Sequence, residues 1–93
     1  SISGSVGEIK YDDTLNNTFN NWVSTGIKVT EPFYTVVGTH IDRGYWIIGV
    51  IENGVYRSIE SNNITARVNP TTNEIELTSY NGYVTTIKTL ITT

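Results

Sequence analysis

The chain has 93 residues, no cysteine, and six basic against nine acidic side chains, a net charge of −3. Isoleucine, valine and threonine supply 36 of the residues while alanine, leucine and methionine supply four; β-branched side chains are stiff at χ1 and suit a pleated surface, so a helical bundle is excluded. The lysines and arginines stand at 10, 28, 43, 57, 67 and 88 and never cluster, so the cationic patch that nucleic acid or an anionic membrane requires is missing.

Residues 1–7 have linker composition, and the chain opens Ser1-Ile2-Ser3-Gly4-Ser5 without an initiator methionine, which reads as a piece of a longer or processed protein. One β domain is expected over 8–93. The first strand is expected at Glu8 to Tyr11, closed by Asp12-Asp13-Thr14. Leu15 to Asn21, with four asparagines, reads as a loop, and Leu15 and Phe19 are spaced for a single helical turn. Trp22 to Thr30 alternates with Val23, Thr25, Ile27 and Val29 on one face, and Pro32 ends it. Phe33 to Thr39 is the next strand and His40 to Gly44 the turn after it.

Tyr45 to Ile51 is apolar on both faces: Trp46, Ile48 and Val50 point one way, Tyr45, Ile47 and Ile51 the other. Such a strand needs cover on both sides, which predicts a homo-oligomer with Trp46, Ile48, Val50 and Leu90 at its interface. The seven-residue run is far too short for a transmembrane helix, which needs about 20 apolar residues, so no membrane insertion is expected. Asn53-Gly54 marks a hairpin. Of its two registers, the apolar pattern favours a three-residue loop pairing Ile51 with Val55, which lines up Ile47, Ile51, Val55 and Ile59.

In the last third, a four-residue loop at Pro70-Thr71-Thr72-Asn73 sets Val68 opposite Ile75, Ala66 opposite Leu77, and Arg67 opposite Glu76. A further hairpin at Tyr80-Asn81-Gly82 is expected to pair Ile75 with Ile87 and Glu74 with Lys88. Ile64 to Thr93 then forms a three-stranded meander whose last strand is covered in the assembly. Seven or eight short strands imply an all-β fold, a small antiparallel β-sandwich or barrel.

No catalytic residue is expected. His40 is the sole histidine; Asp42 is two residues away, no nucleophile elbow accompanies them, and His40 reads as a polar turn residue. Glu74 and Glu76 read as partners of Lys88 and Arg67 rather than as a glycosidase pair. Asp12, Asp13, Asn16 and Asn17 lack the EF-hand spacing, so no metal and no cofactor is assigned. The polar turns do carry aromatics. Tyr80, Asn81 and Tyr83, with Asp42, Arg43 and Tyr45, combine flat apolar rings with planar hydrogen-bonding groups, the chemistry that holds a sugar.

The threonine-, asparagine- and isoleucine-rich composition, the short hairpins, and the stretches Thr25-Gly26-Ile27-Lys28-Val29-Thr30-Glu31-Pro32-Phe33 and Ala66-Arg67-Val68-Asn69-Pro70 resemble the distal domain of a phage tail fibre or tailspike. The resemblance implies a homotrimeric β-sandwich on the extracellular virion surface that caps or trimerises the fibre and binds a cell-surface polysaccharide. It carries over no individual residue, since no family motif maps onto the chain. The alternatives are a monomeric carbohydrate-binding module of a secreted bacterial protein and a virion domain that serves assembly alone.

Overall fold

The computed structural model describes residues 7–80 and 85–93. Eight strands run in chain order: β1 (Ile9–Asn16), β2 (Val23–Lys28), β3 (Phe33–His40), β4 (Trp46–Glu52), β5 (Val55–Asn62), β6 (Ile64–Val68), β7 (Glu74–Ser79) and β8 (Thr86–Thr92). They form a five-stranded sheet in the order β1-β8-β3-β4-β5 and a three-stranded sheet in the order β2-β7-β6. Every pairing between named strands is antiparallel. Of the two all-β folds expected, sandwich or barrel, the two sheets make it a sandwich, and no helix occurs among the described residues.

Alternation with period two generates the core. The larger sheet turns in Leu15 from β1, Tyr34 and Val36 from β3, Ile47 and Ile51 from β4, and Ile87 and Ile91 from β8; the smaller contributes Ile64, Ala66, Ile75 and Leu77. Gly49 lies inward on β4 because no side chain fits there. A Cβ at this position would come within 2.5 Å of the Tyr56 ring, which covers the glycine from β5. The close approach of ring to backbone is what the missing side chain permits.

The β6–β7 hairpin has the register read from the sequence. Val68 pairs with Ile75, Ala66 with Leu77 and Arg67 with Glu76, and the N–H of Asn69 donates to the carbonyl of Glu74 at 2.8 Å. On the outer face of this sheet Arg67 Nε donates to Glu76 Oε1 at 2.8 Å, while its guanidinium sits 4.5 Å from the centre of the Trp22 ring. Asn69 Nδ2 also reaches both oxygens of Glu76, at 3.3 and 3.2 Å. The carboxylate is nearly buried because these donors surround it.

Several expectations are corrected. β1 extends through Asp12-Asp13-Thr14 to Asn16, so Leu15 belongs to a strand rather than a helical turn. Its inward side chain is buried and its backbone pairs with Ile87. The Asn53-Gly54 connection is a two-residue turn pairing Glu52 with Val55. Both turn residues have positive φ, 50° and 81°, the geometry that matches strand twist and that Asn-Gly accepts at little cost. Val55 and Ile59 consequently do not extend the inner row of Ile47 and Ile51; they stay exposed on β5. The C-terminal meander does not form. β7 already has β2 and β6 on its two edges, whereas β8 enters the other sheet between β1 and β3. Ile75 and Ile87 share the core from opposite sheets rather than adjacent strands, and Glu74 and Lys88 lie in different sheets. His40 is the buried last residue of β3 rather than a residue of the exposed turn.

Two predictions follow from this packing. Gly49→Ala should lower unfolding free energy by about 1–3 kcal/mol, the usual cost of overpacking, and the loss should shrink in the Gly49→Ala/Tyr56→Ala double variant relative to the sum of the two single losses. Glu76→Ala should cost about 1–3 kcal/mol by stripping Arg67 and Asn69 of their acceptor. Urea denaturation with an unchanged slope measures both.

Candidate functional site

Two surfaces gather the residues that the sequence singles out. The first is the outer face of the five-stranded sheet. Register places the outward residues in rows across the strands: Leu90, Val37 and Ile48 are successive neighbours on β8, β3 and β4. Asp12 continues this row on β1 and Glu60 on β5. The three apolar residues are 37%, 37% and 39% exposed. One adjoining row runs Lys88, Thr39 and Trp46. The other runs Thr92, Thr35, Val50 and Arg57. Trp46, Ile48, Val50 and Leu90, the expected interface, thus share one face, although Val50 is buried. Val37 is the residue that sequence reading missed. It bridges Leu90 to Ile48, and its signal was the adjacent Val36-Val37 pair, one of which had to face outward. A shallow cleft of about 320 Å³ opens on this face beside Asp12, Val37, Thr39, Lys88 and Leu90.

The second surface is the end of the sandwich where β1, β3, β5 and β7 finish. Thr18 holds it together from between the sheets. Its N–H donates to the Thr85 carbonyl at 3.2 Å, and its own carbonyl accepts from the Ser79 N–H at 2.9 Å and from the Thr78 hydroxyl at 3.1 Å. Its hydroxyl lies 3.0 Å from that of Ser79. Phe19 then bridges to Ser79, and the N–H of Asn20 donates to the Ser79 carbonyl at 2.8 Å. Tyr80 follows Ser79, its N–H donating to the Asn63 carbonyl at 2.9 Å. Phe19 and Tyr80 are 45% and 42% exposed. Asn17 and Asn20 both take positive φ, 61° and 46°, the left-handed geometry that asparagine tolerates. Sequence reading placed Phe19 and Asn20 in a loop and gave neither a part in a site; an aromatic residue inside a run of asparagines was the available signal.

Asp42 and Arg43 occupy the turn after β3, at this same end, where the Ile41 N–H donates to the Thr86 carbonyl at 3.0 Å. Tyr45 is half-buried, its ring edge-on to His40 at 5.5 Å between centroids. Tyr80, Asp42, Arg43 and Tyr45 are therefore brought to one end. Asn81 and Tyr83, the other two expected sugar-binding residues, lie outside the described residues.

His40 Nδ1 is 3.0 Å from Asp42 Oδ1. The Asp42 backbone N–H lies 3.3 Å from the same nitrogen and is placed to donate to it. Nε2 is buried without a hydrogen-bond partner among the described residues. No group of three or more potential metal-ligating His, Cys, Asp or Glu side chains occurs among the described residues. Among the described residues three phenols are shifted, and each belongs to the packing rather than to either surface. Burial raises Tyr11, with Asp13 adding to it. Burial also raises Tyr56. At Tyr34 burial acts upward, but hydrogen bonds from Thr30 and Glu31 outweigh it and the phenol is lowered; the two backbone N–H groups donate to its oxygen at 3.0 and 3.1 Å.

No family model matches the chain, no curated protein matches its sequence, and no solved structure matches its fold. Thr18→Val keeps the shape of the end residue and removes its hydroxyl. It should cost about 1–3 kcal/mol, because the Ser79 hydroxyl loses its buried partner, and amide exchange of the Ser79 and Asn20 N–H groups should accelerate before that of the strand centres.

Proposed function

We propose that the chain is a non-enzymatic terminal domain of a viral fibre or tailspike, exposed at the virion surface, that packs as a homotrimer through the outer face of its five-stranded sheet. The observation carrying this reading is the row Leu90–Val37–Ile48. The outer face of an antiparallel sandwich ordinarily alternates to polar residues, yet here three strands in succession present an aliphatic side chain. Burying such a row gains about 25 cal/mol per Å² of apolar surface, and a symmetric copy supplies a matching surface without a second gene product.

The end bearing Phe19, Tyr80, Asp42 and Arg43 suits a neutral cell-surface polysaccharide. Exposed rings stack on the apolar faces of sugars while amide, carboxylate and guanidinium groups bind their hydroxyls. The same end supports the second reading, a monomeric carbohydrate-binding module. The two readings part at the outer face: a fibre domain covers it and a monomeric module leaves it in water. A third role, assembly alone, has no use for these exposed rings.

The absence of native cysteine gives a direct test. In Val37→Cys, the single thiol should react with a maleimide at least tenfold more slowly once the concentration is raised through assembly. A rate independent of concentration contradicts burial in an oligomer. On a glycan array, Phe19→Ala and Tyr80→Ala should each abolish binding while leaving the assembled mass unchanged; absence of binding by the unsubstituted domain removes the polysaccharide from the proposal.

A further inference from the structure

The apolar face is not the only unpaired surface. β5 is one of the two edge strands of the five-stranded sheet, and its eight residues from Val55 to Asn62 are exposed apart from the half-buried Tyr56. Val55 and Ile59 are 67% and 60% exposed. An open edge of this length is a template for another strand, and the question is which strand it fits.

We infer that β5 fits a second copy of itself, as a two-fold antiparallel seam in which Arg57 of each copy lies opposite Glu60 of the other. Three features converge on that register. The first is charge. Arg57 and Glu60 are three apart, so on a regular strand they would face opposite sides. A bulge next to Gly49 inserts an extra residue, and Arg57 and Glu60 pair with Val50 and Ile48 of β4, which share a face. The bulge therefore brings both charges to the outer side. Two reciprocal cross-strand ion pairs result, and like charges never meet.

The second feature is extent. Setting Arg57 opposite Glu60 also sets Val55 opposite Asn62, Tyr56 opposite Ser61 and Ser58 opposite Ile59. All eight residues pair end to end with no overhang. The third is the direction of the backbone groups. Glu52 and Val55 close the two-residue turn, so Val55 directs its N–H and C=O toward β4. Alternation leaves those of Tyr56 pointing out and those of Arg57 pointing in. Glu60 meets β4 two residues along from Arg57's partner, so it too points in, and Ser61 points out. Tyr56 and Ser61 of the neighbouring copy then form a hydrogen-bonded pair. Arg57 and Glu60 form the adjacent non-hydrogen-bonded pair, in which side chains approach most closely. Arg57 now pairs with Glu52 of its own strand pair, an exposed contact worth little, so the exchange of partner is cheap.

This seam is two-fold and separate from the three-fold packing of outer faces proposed above. Sedimentation velocity tests it with Glu60→Arg, Arg57→Glu, and the double exchange Arg57→Glu/Glu60→Arg. Each single variant puts like charges opposite one another and should weaken two-fold association at least tenfold. The double exchange restores complementarity and should return the dissociation constant to within about threefold of the unsubstituted chain. Equal behaviour of the single and double variants, or masses unaffected by any of them, overturns the seam, as does a monomer throughout. Val37→Lys, run alongside, addresses the outer face: loss of three-fold mass in that variant alone supports the trimer and contradicts the seam, whereas loss in the single charge variants alone does the reverse.

Discussion

Two strands consecutive in sequence, β7 and β8, are each interior to a different sheet, and the remaining architecture depends on that separation. Ile75 and Leu77 project from one side of the core and Ile87 and Ile91 from the other. Both strands are hydrogen-bonded on both edges, so neither can leave without exposing two ladders. β7 ends at Ser79 in one sheet and β8 begins at Thr86 in the other, and Thr18 bonds both to Thr85 beside β8 and to Ser79. The end surface with its exposed rings is built around these Thr18 bonds between the two sheets.

The same arrangement explains why one face of the larger sheet is left over. Three strands are too few to cover five on both sides, and the small sheet covers only the inner face. The outer row Leu90–Val37–Ile48 is aliphatic where pleat alternation leads to water. Its two ends are acidic, Asp12 and Glu60, so the apolar surface is bounded rather than continuous. Bounded apolar surfaces with a charged rim are the form that interfaces between copies take. The open edge of β5 adds backbone donors and acceptors next to that rim.

Part of this was legible in the sequence for a definable reason. The register of β6 and β7 was readable because one loop length satisfies both faces at once, apolar opposite apolar and Arg67 opposite Glu76. The two-sided character of β4 was readable because Trp46, Ile48 and Val50 interleave with Ile47 and Ile51. What alternation cannot convey is which strand lies alongside. Ile75 and Ile87 are both inward residues, and that holds equally for neighbours in a sheet and for partners across a core. At Asn53-Gly54 the apolar pattern misled, because Val55 and Ile59 are exposed and the left-handed turn geometry decided the register. Phe19 was hidden for a related reason: asparagines mark a loop without saying that Thr18 would anchor it between two sheets. The bulge on β5 leaves no mark in the sequence, so the shared face of Arg57 and Glu60 could be found only in the structure.

The central claim is that the outer face of the five-stranded sheet is covered by other copies of the chain. Light scattering after size exclusion, over a wide range of concentration, measures it most directly. The account predicts a mass three times the 10.4 kDa of one chain, or twice that where the β5 seam also forms. A mass of 10.4 kDa at every concentration would contradict it, and would favour the monomeric module proposed as the second reading.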